Sequence, residues 1–506
     1  MTLKIGKTRR GKDIVLSDEE RSRHIHIMGA SGTGKSKLIE SMIRQDILAN
    51  RGLCLIDPHG TLADAIVQFC ATRGLSDFRR IHVIKPADTD WSFGFNPLRL
   101  DGTSEPMARV DAMVAACAQV WGGEDPVSTP LLKKCLRAVF YALSVHKLTL
   151  LEAVDLITSK DPSTIRRVLT KALPDYVFNS LWEDLNALSR REFAEQFSST
   201  NNRLLEFLSA PIVRRIVGQR ERTLDLKRVM DEGEILIVNL ARHAAMSPDN
   251  TRLLGTLLTS ELFLLALARD EKTATQHPFY LYIDECYDFL TSDIERMLDQ
   301  TRKFGLHLIL AHHRLSQLRA RSEAIYNGVM TGGQTKIVFG GLEDDDAEIM
   351  ARQIMRGSFN LERPKHSLDK PHVVDEIPFW LESESSAVSE SRSQGTSESS
   401  GWSSATGLTE NYDTDSNVIG SGSSSGSGAS GGWSTSDSTS TGRTVSHGYS
   451  QTLKPVRKTL PTAVHSLEEE LHLAILKLRE LPQRAAIVKR RGRQATRLVV
   501  PEIRPP

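Results

Sequence analysis

Two kinds of apolar pattern alternate along the chain. Short runs of strand length occur at Leu53-Cys54-Leu55-Ile56, Ile81-His82-Val83-Ile84, Ile235-Leu236-Ile237-Val238, Phe279 to Ile283, Leu306 to Leu310 and Lys336 to Phe339. Several are apolar at every position, as expected for a strand buried on both faces of a parallel sheet. Between them, apolar residues recur three and four apart, as in Leu38, Ile39, Met42, Ile43 and Ile47 and again from about Asn250 to Arg269. That spacing predicts helices. Strands alternating with helices predict an α/β fold: a mostly parallel sheet with helices on both faces. Ahead of it, Leu3 to Ile5, a turn at Arg10-Gly11 and Ile14 to Leu16 predict a hairpin.

The rhythm breaks twice. From Asp101 to about Asp231 the periods are helical, as in Leu131 to Leu143, Leu150 to Ile157 and Leu204 to Val217, which predicts an inserted all-α domain. Its second half carries Arg190, Arg191, Arg203, Arg214, Arg215, Arg220, Arg222 and Arg228. Such a run fits an ordinary solvated helical face and a DNA-facing surface equally well. From about Glu382 to Gln451 the chain is rich in Ser, Gly and Thr and offers too little apolar surface to offset chain entropy, which predicts disorder. A last segment has a capping-box start at Ser466-Leu467-Glu468-Glu469, one apolar face (Leu467, Leu471, Ala474, Ile475, Leu478), and then Lys489, Arg490, Arg491, Arg493 and Arg497. The expected organisation is a first part of the core with its hairpin over 1–100, the inserted all-α domain over 101–231, a second part of the core over 232–381, a disordered Ser/Gly-rich linker over 382–452, and a small helical and basic tail over 453–506.

The length of 506 residues calls for more than one unit. Lys plus Arg number 64 against 63 for Asp plus Glu, so no global basic excess marks a nucleic-acid binder and any such surface must be local. Cys54, Cys70, Cys117, Cys135 and Cys286 are scattered with no C-x-x-C pair, as in a reducing cytoplasm. The longest apolar run, Leu253 to Ala268, is interrupted by Thr256, Thr259, Ser260 and Glu261, so it reads as a buried helix, and no integral membrane segment is expected.

The chemistry starts at Gly29-Ala30-Ser31-Gly32-Thr33-Gly34-Lys35-Ser36, which fits G-x-x-x-x-G-K-[ST]. Glycines let backbone N–H groups curl round phosphate oxygens without Cβ clashes. In this motif Lys35 reaches the β- and γ-phosphates and the Ser36 hydroxyl ligates Mg²⁺. The context fits: an alternating strand (Ile25, Ile27, Met28) precedes it and an amphipathic helix follows. These residues predict ATP and Mg²⁺ as cofactors. The run Tyr280-Leu281-Tyr282-Ile283-Asp284-Glu285 places two carboxylates at the carboxyl end of a strand, where ligands bind in such sheets. Asp284 suits Mg²⁺ as an oxygen ligand, and Glu285 can polarise the attacking water. Downstream, Thr301 to His313 reads as helix, turn and strand, ending in His312-His313. Neighbours on a strand point to opposite faces, which argues against joint metal ligation.

The set Gly29 to Ser36, Asp57-Pro58-His59-Gly60, Asn96-Pro97-Leu98, Ile283-Asp284-Glu285 and Arg302-Lys303-Phe304-Gly305-Leu306, in this order and with a helical insertion, resembles the HerA/FtsK superfamily of hexameric DNA-pumping ATPases. Within it the chain is most similar to soluble relatives of the coupling proteins of type IV secretion. The resemblance implies a P-loop (RecA-like) core, a homohexameric ring, DNA as the partner, and sites between subunits. It implies that Arg302 reaches into the neighbouring site and that His313 stands where relatives carry a γ-phosphate-sensing Gln. Position 61, after Pro-His-Gly, is Thr61 where relatives carry an acid. The expected function is an ATP-hydrolysing DNA translocase of the conjugative type, cytoplasmic, with DNA-processing or secretion proteins as further partners. Its rivals are a HerA-like helicase in DNA processing or defence, and an ATP-gated assembly scaffold without translocation.

Overall fold

The computed structural model describes residues 2–88, 93–100, 105–121, 128–158, 165–171, 173–221, 223–243, 246–355 and 465–503, together with the backbone of six strands between 364 and 464. The chain divides into two compact units, one of residues 1–359 and 468–506 and one of residues 360–467.

The first unit is built on an 11-stranded sheet. Its strands up to residue 339 are β1 (Thr2–Lys7), β2 (Asp13–Ser17), β3 (Ile25–Met28), β4 (Gly52–Asp57), β5 (Ile81–Ile84), β6 (Ile235–Asn239), β7 (Phe279–Ile283), β8 (Leu306–His312) and β9 (Thr335–Phe339). From β9 the order runs β9-β3-β8-β7-β4-β6-β5, every pair parallel. The carboxyl ends of β3, β8, β7 and β4 therefore lie side by side along one edge, which is where a doubly wound sheet binds its ligands.

The apolar runs of β4, β6, β7 and β8 are buried on both sides, as their composition predicts, whereas β5 at the edge of the sheet leaves Val83 exposed. In β4, Leu53 and Leu55 pack with the helices Lys35–Leu48 and Thr61–Thr72, while Cys54 and Ile56 pack on the opposite face. That opposite face is covered by the long helix Pro248–Leu267 and by the insertion. Among the described residues from 105 to 231 the regular structure is helical, and its apolar side chains (Phe140, Trp182, Phe197, Leu204) run without a break into the cluster that includes Leu236, Leu281 and Leu310. A buried ion pair of 2.5 Å, Arg109 to Glu261, ties the insertion helix Pro106–Trp121 to Pro248–Leu267. All five cysteines are free and buried.

The second unit contains the strands β10 (Pro364–Ser367), β11 (His372–Ser391), β12 (Ser403–Tyr412), β13 (Val418–Gly428), β14 (Ser440–Lys458) and β15 (Pro461–Val464). They pair antiparallel as β10 with β15, β11 with β14 and β12 with β13. Most of the tract that the composition reads as disordered falls on these backbone strands, and the rest of it lies outside the described residues.

The last segment corrects one expectation. Residues 453–506 are not a helical, basic appendage. After the helix Leu467–Arg479, β16 (Ala485–Lys489) pairs antiparallel with β9, and β17 (Thr496–Val499) pairs with β16 and with β1. Ala485-Ala486-Ile487-Val488 is a short apolar run of the same kind as the other strands, and its burial on both faces is what draws it into the sheet.

Candidate functional site

Residues Gly29 to Gly34 form the turn between β3 and the helix that starts at Lys35. Two glycines are required by geometry. A Cβ on Gly29 would lie 2.5 Å from the Cβ of Phe339, and Gly34 holds φ +117°, where a side chain would be strained. The helix N-terminus and its free N–H groups open onto the carboxyl edge of the sheet, an arrangement that attracts phosphate.

The structure brings Lys35, Asp284, Glu285 and His313 together. Lys35 is buried, and its Nζ donates to the carbonyl oxygens of Gly29 (2.7 Å) and Ala30 (3.2 Å) and to Nδ1 of His313 (2.5 Å). Nε2 of His313 lies 2.6 Å from Oε1 of Glu285. Nδ1 also lies 3.2 Å from the Gly29 carbonyl. While Lys35 is protonated it can only donate, which makes Nδ1 the acceptor and leaves the proton on Nε2 to go to Glu285. The bond to Glu285 raises the His313 pKa above its ordinary value, against the opposing effects of burial and of Lys35. Burial in turn lowers Lys35, while Glu285 and Asp284 work to raise it.

Glu285, the second residue past β7, sits at φ +47°, a left-handed conformation that costs a non-glycine residue roughly 1 kcal/mol. This turn separates its side chain from that of Asp284. Its second oxygen, Oε2, is buried and has no hydrogen-bond partner. Asp284 is buried beside it and is pushed up to about 6, by burial first and then by the negative charges of Glu285 and Asp57. Asp57, at the end of the neighbouring β4, accepts from the N–H groups of His59 (2.8 Å) and Ala63 (2.9 Å) and so fixes the turn into the helix Thr61–Thr72. Crowded carboxylates with an unpartnered oxygen, beside a lysine and a cradle of N–H groups, are what a phosphate chain with a divalent cation would relieve. The residues present fit ATP and Mg²⁺, and Ser36 and Asp284 are the oxygen donors that could hold the metal.

The two adjacent histidines do separate. His312 stacks on His26, with ring centroids 4.9 Å apart, planes 14° apart and an Nε2 to Nε2 contact of 2.6 Å, and both rings are buried. His313 turns the other way, to the phosphate loop.

Arg302 is not with the others. It precedes β8, whereas His313 follows it, and the seven-residue strand between them spans roughly 20 Å. Arg302 lies near His24 and lines a cavity of about 570 Å³ with Arg51, His277, Tyr280 and Lys303, at the amino ends of the strands. It cannot serve its own phosphate loop.

The arginine run of the insertion is largely committed to internal bonds. Arg203 donates to the Trp121 carbonyl and to Ser199, and Arg214 to the carbonyls of Leu208 and Ser209. Arg220 pairs with Glu152 and Arg191 with Glu195. Arg222 lies outside the described residues. Only the count of arginines is visible in a sequence, and these partners lower what the run can offer to DNA.

No family model and no curated protein matches the chain. Solved structures do. The bacterial conjugative coupling protein TrwBdeltaN70, in its unbound monoclinic form, superposes with a TM-score of 0.54 at 15% identity, covering 99% of this chain and 89% of that one. The chain has the coupling-protein fold. The plasmid coupling protein TrwB in complex with ADP and Mg²⁺ gives a TM-score of 0.55 at 14% identity, over 99% of this chain and 90% of that one. The complex of TrwB with the non-hydrolysable GTP analogue GDPNP gives the same values. On this coupling-protein fold, no helix among the described residues is long and apolar enough to cross a membrane.

Proposed function

We propose that the chain is an ATPase that uses ATP hydrolysis to move DNA, working as a ring of identical subunits in the manner of conjugative coupling proteins. The observation that carries the ATPase reading is the contact chain from Lys35 through His313 to Glu285, set against a phosphate loop at the carboxyl edge of the sheet.

The N–H groups of the loop and Lys35 hold the β- and γ-phosphates. Ser36 and Asp284 would hold Mg²⁺, which would neutralise part of the phosphate charge. Glu285 polarises the attacking water through Oε2, the oxygen left free while Oε1 is held by His313. Occupation by a γ-phosphate draws Lys35 away from Nδ1 of His313, so that His313 reports the presence of the phosphate to Glu285. Arg302 completes the site of the neighbouring subunit; its distance from its own loop supports a role in trans.

The DNA arm rests on the coupling-protein fold and on the translocase resemblance of the motifs. Its test is steady-state ATP turnover with no DNA, with single-stranded and with double-stranded DNA. Stimulation several-fold by one form is expected. Turnover indifferent to both, in rings shown to be assembled, would leave an ATPase without a DNA-moving role.

A further inference from the structure

The carbonyl oxygens of a phosphate loop must point away from the anion, and each needs a donor. In this loop the donors to the carbonyls of Gly29, Ala30, Gly32 and Thr33 can be assigned. Gly29 and Ala30 are served by Lys35, and Ala30 also by Thr33 Oγ1 at 2.8 Å. The carbonyl of Gly32 accepts from Nε2 of Gln483 at 3.0 Å, and that of Thr33 from the backbone N–H of Arg484 at 2.8 Å. These last two donors come from the turn between the helix Leu467–Arg479 and β16, far along the chain.

Peptide geometry gives the contact its meaning. In a trans peptide unit the C=O and the N–H point in opposite directions. The Gly32 carbonyl shares its unit with the N–H of Thr33, and the Thr33 carbonyl with that of Gly34. Drawing both carbonyls outward, toward 483 and 484, aims both N–H groups into the concavity of the loop. The turn is itself held from both sides. Gly341, just past β9, donates to the Arg479 carbonyl at 3.2 Å, and Val500, just past β17, donates to that of Arg484 at 2.8 Å. Arg484 adopts φ +67°, and its side chain is turned away to the Val500 carbonyl at 3.1 Å. Its Cα stands 3.3 Å from where a Cβ on Gly34 would be.

We propose that Gln483 and Arg484 form a clasp on the outer side of the phosphate loop and are positioning residues for the nucleotide reaction. They set the Thr33 and Gly34 N–H groups toward the phosphates without touching the nucleotide. The proposal rests on the reading of this loop as a nucleotide site. A clasp of this kind acts on the affinity for phosphate and leaves the hydrolytic groups Lys35, Glu285 and His313 where they are.

The test uses the full chain with Gln483→Ala, which removes the side-chain donor, and Gln483→Glu, which sets a carboxylate against the Gly32 carbonyl. ADP with Mg²⁺ is titrated calorimetrically, ATP turnover is measured at steady state, and thermal unfolding is followed without nucleotide. Loss of one hydrogen bond corresponds to a weakening of about two- to tenfold. The expected result is that Gln483→Ala raises the Kd for ADP and the KM for ATP by about threefold and Gln483→Glu by about tenfold, with kcat within about twofold of wild type. Variants that bind ADP as the wild type does overturn the clasp alone. A common fall in kcat and in nucleotide-free thermal stability with KM unchanged makes the contact merely structural and overturns it too. Wild-type protein that binds no ADP overturns the nucleotide reading together with the clasp.

Discussion

Lys35 and His313 are joined by a 2.5 Å hydrogen bond between Nζ and Nδ1, across the gap between the phosphate loop and the strand that ends beside it. A protonated lysine fixes the imidazole as the Nε2–H tautomer, and that proton is directed to Glu285. His313→Ala should lower kcat for ATP by about 10²-fold while changing ADP affinity little, and His313→Gln should recover part of the loss. Steady-state turnover and ADP titration measure both. An unchanged kcat in His313→Ala would remove the residue from the reaction.

Removing Lys35 and removing the charge of Glu285 should have different signatures. Lys35→Ala deletes the buried cation nearest the phosphates and should weaken ATP binding at least about tenfold. Glu285→Gln keeps Asp284 and the loop, so ATP should remain bound while turnover falls by about 10³-fold. Filter binding of labelled ATP beside phosphate release separates the two. Wild-type turnover in Glu285→Gln would show that water is activated by another group.

Acid should unfold the protein early. Burial lowers His24 to about 4 and His307 and His312 to about 3, and holds His26 well below its ordinary value. These rings face cations as well. Arg302 lies near His24, Arg21 and Arg269 near His307, and Lys35 and Lys336 near His312. The unfolded chain takes up protons below about 6.5 that the folded chain refuses, so stability rises with pH between about 4 and 6.5 and is lost as pH falls through that window. Each buried imidazole costs up to about 1.4 kcal/mol per pH unit there. Asp284, pushed up to about 6, acts in the opposite sense but stands against four rings. The melting temperature should drop steeply from pH 6.5 to 4.5. A flat profile over that range would mean that the histidines are protonated in the native state.

Arg302 should fail only through its neighbours. Arg302→Ala subunits are expected to bind ATP normally and to hydrolyse it roughly 10³-fold more slowly. Mixing them with Glu285→Gln subunits should restore part of the activity, because some sites then combine an intact Glu285 with a neighbour's arginine. No recovery in rings proven to be mixed would count against the trans role, and wild-type turnover in Arg302→Ala alone would end it.

The parallel strands were legible because burial on both faces leaves continuous apolar runs such as Leu53 to Ile56. The motif residues were legible because spacing alone sets the curl of a phosphate loop. The link from Lys35 to Glu285 was not, since a histidine beside another histidine carries no sign of which one turns to the loop. β16 is hard to read because the basic residues that follow Val488 outweigh a four-residue apolar run. The insertion arginines leave two readings equally open for a related reason: their number is written in the sequence, while the carbonyls and carboxylates that satisfy Arg203, Arg214 and Arg220 are not.

In the sheet, the N-terminal hairpin touches the parallel strands only through β17 and β16. On the ribosome, β1 is therefore made long before β17, and its pairing edge stays uncovered until that strand follows, a delay on the order of a minute at typical synthesis rates. Until β16 and β17 follow, β1 and, once it is made, β9 each expose an unpaired edge, the kind of surface on which nascent chains associate wrongly. The closing of the sheet and the seating of residues 483 and 484 against the phosphate loop depend on the same stretch of chain, so a molecule cut off ahead of residue 483 would have neither a completed sheet nor a clasped loop.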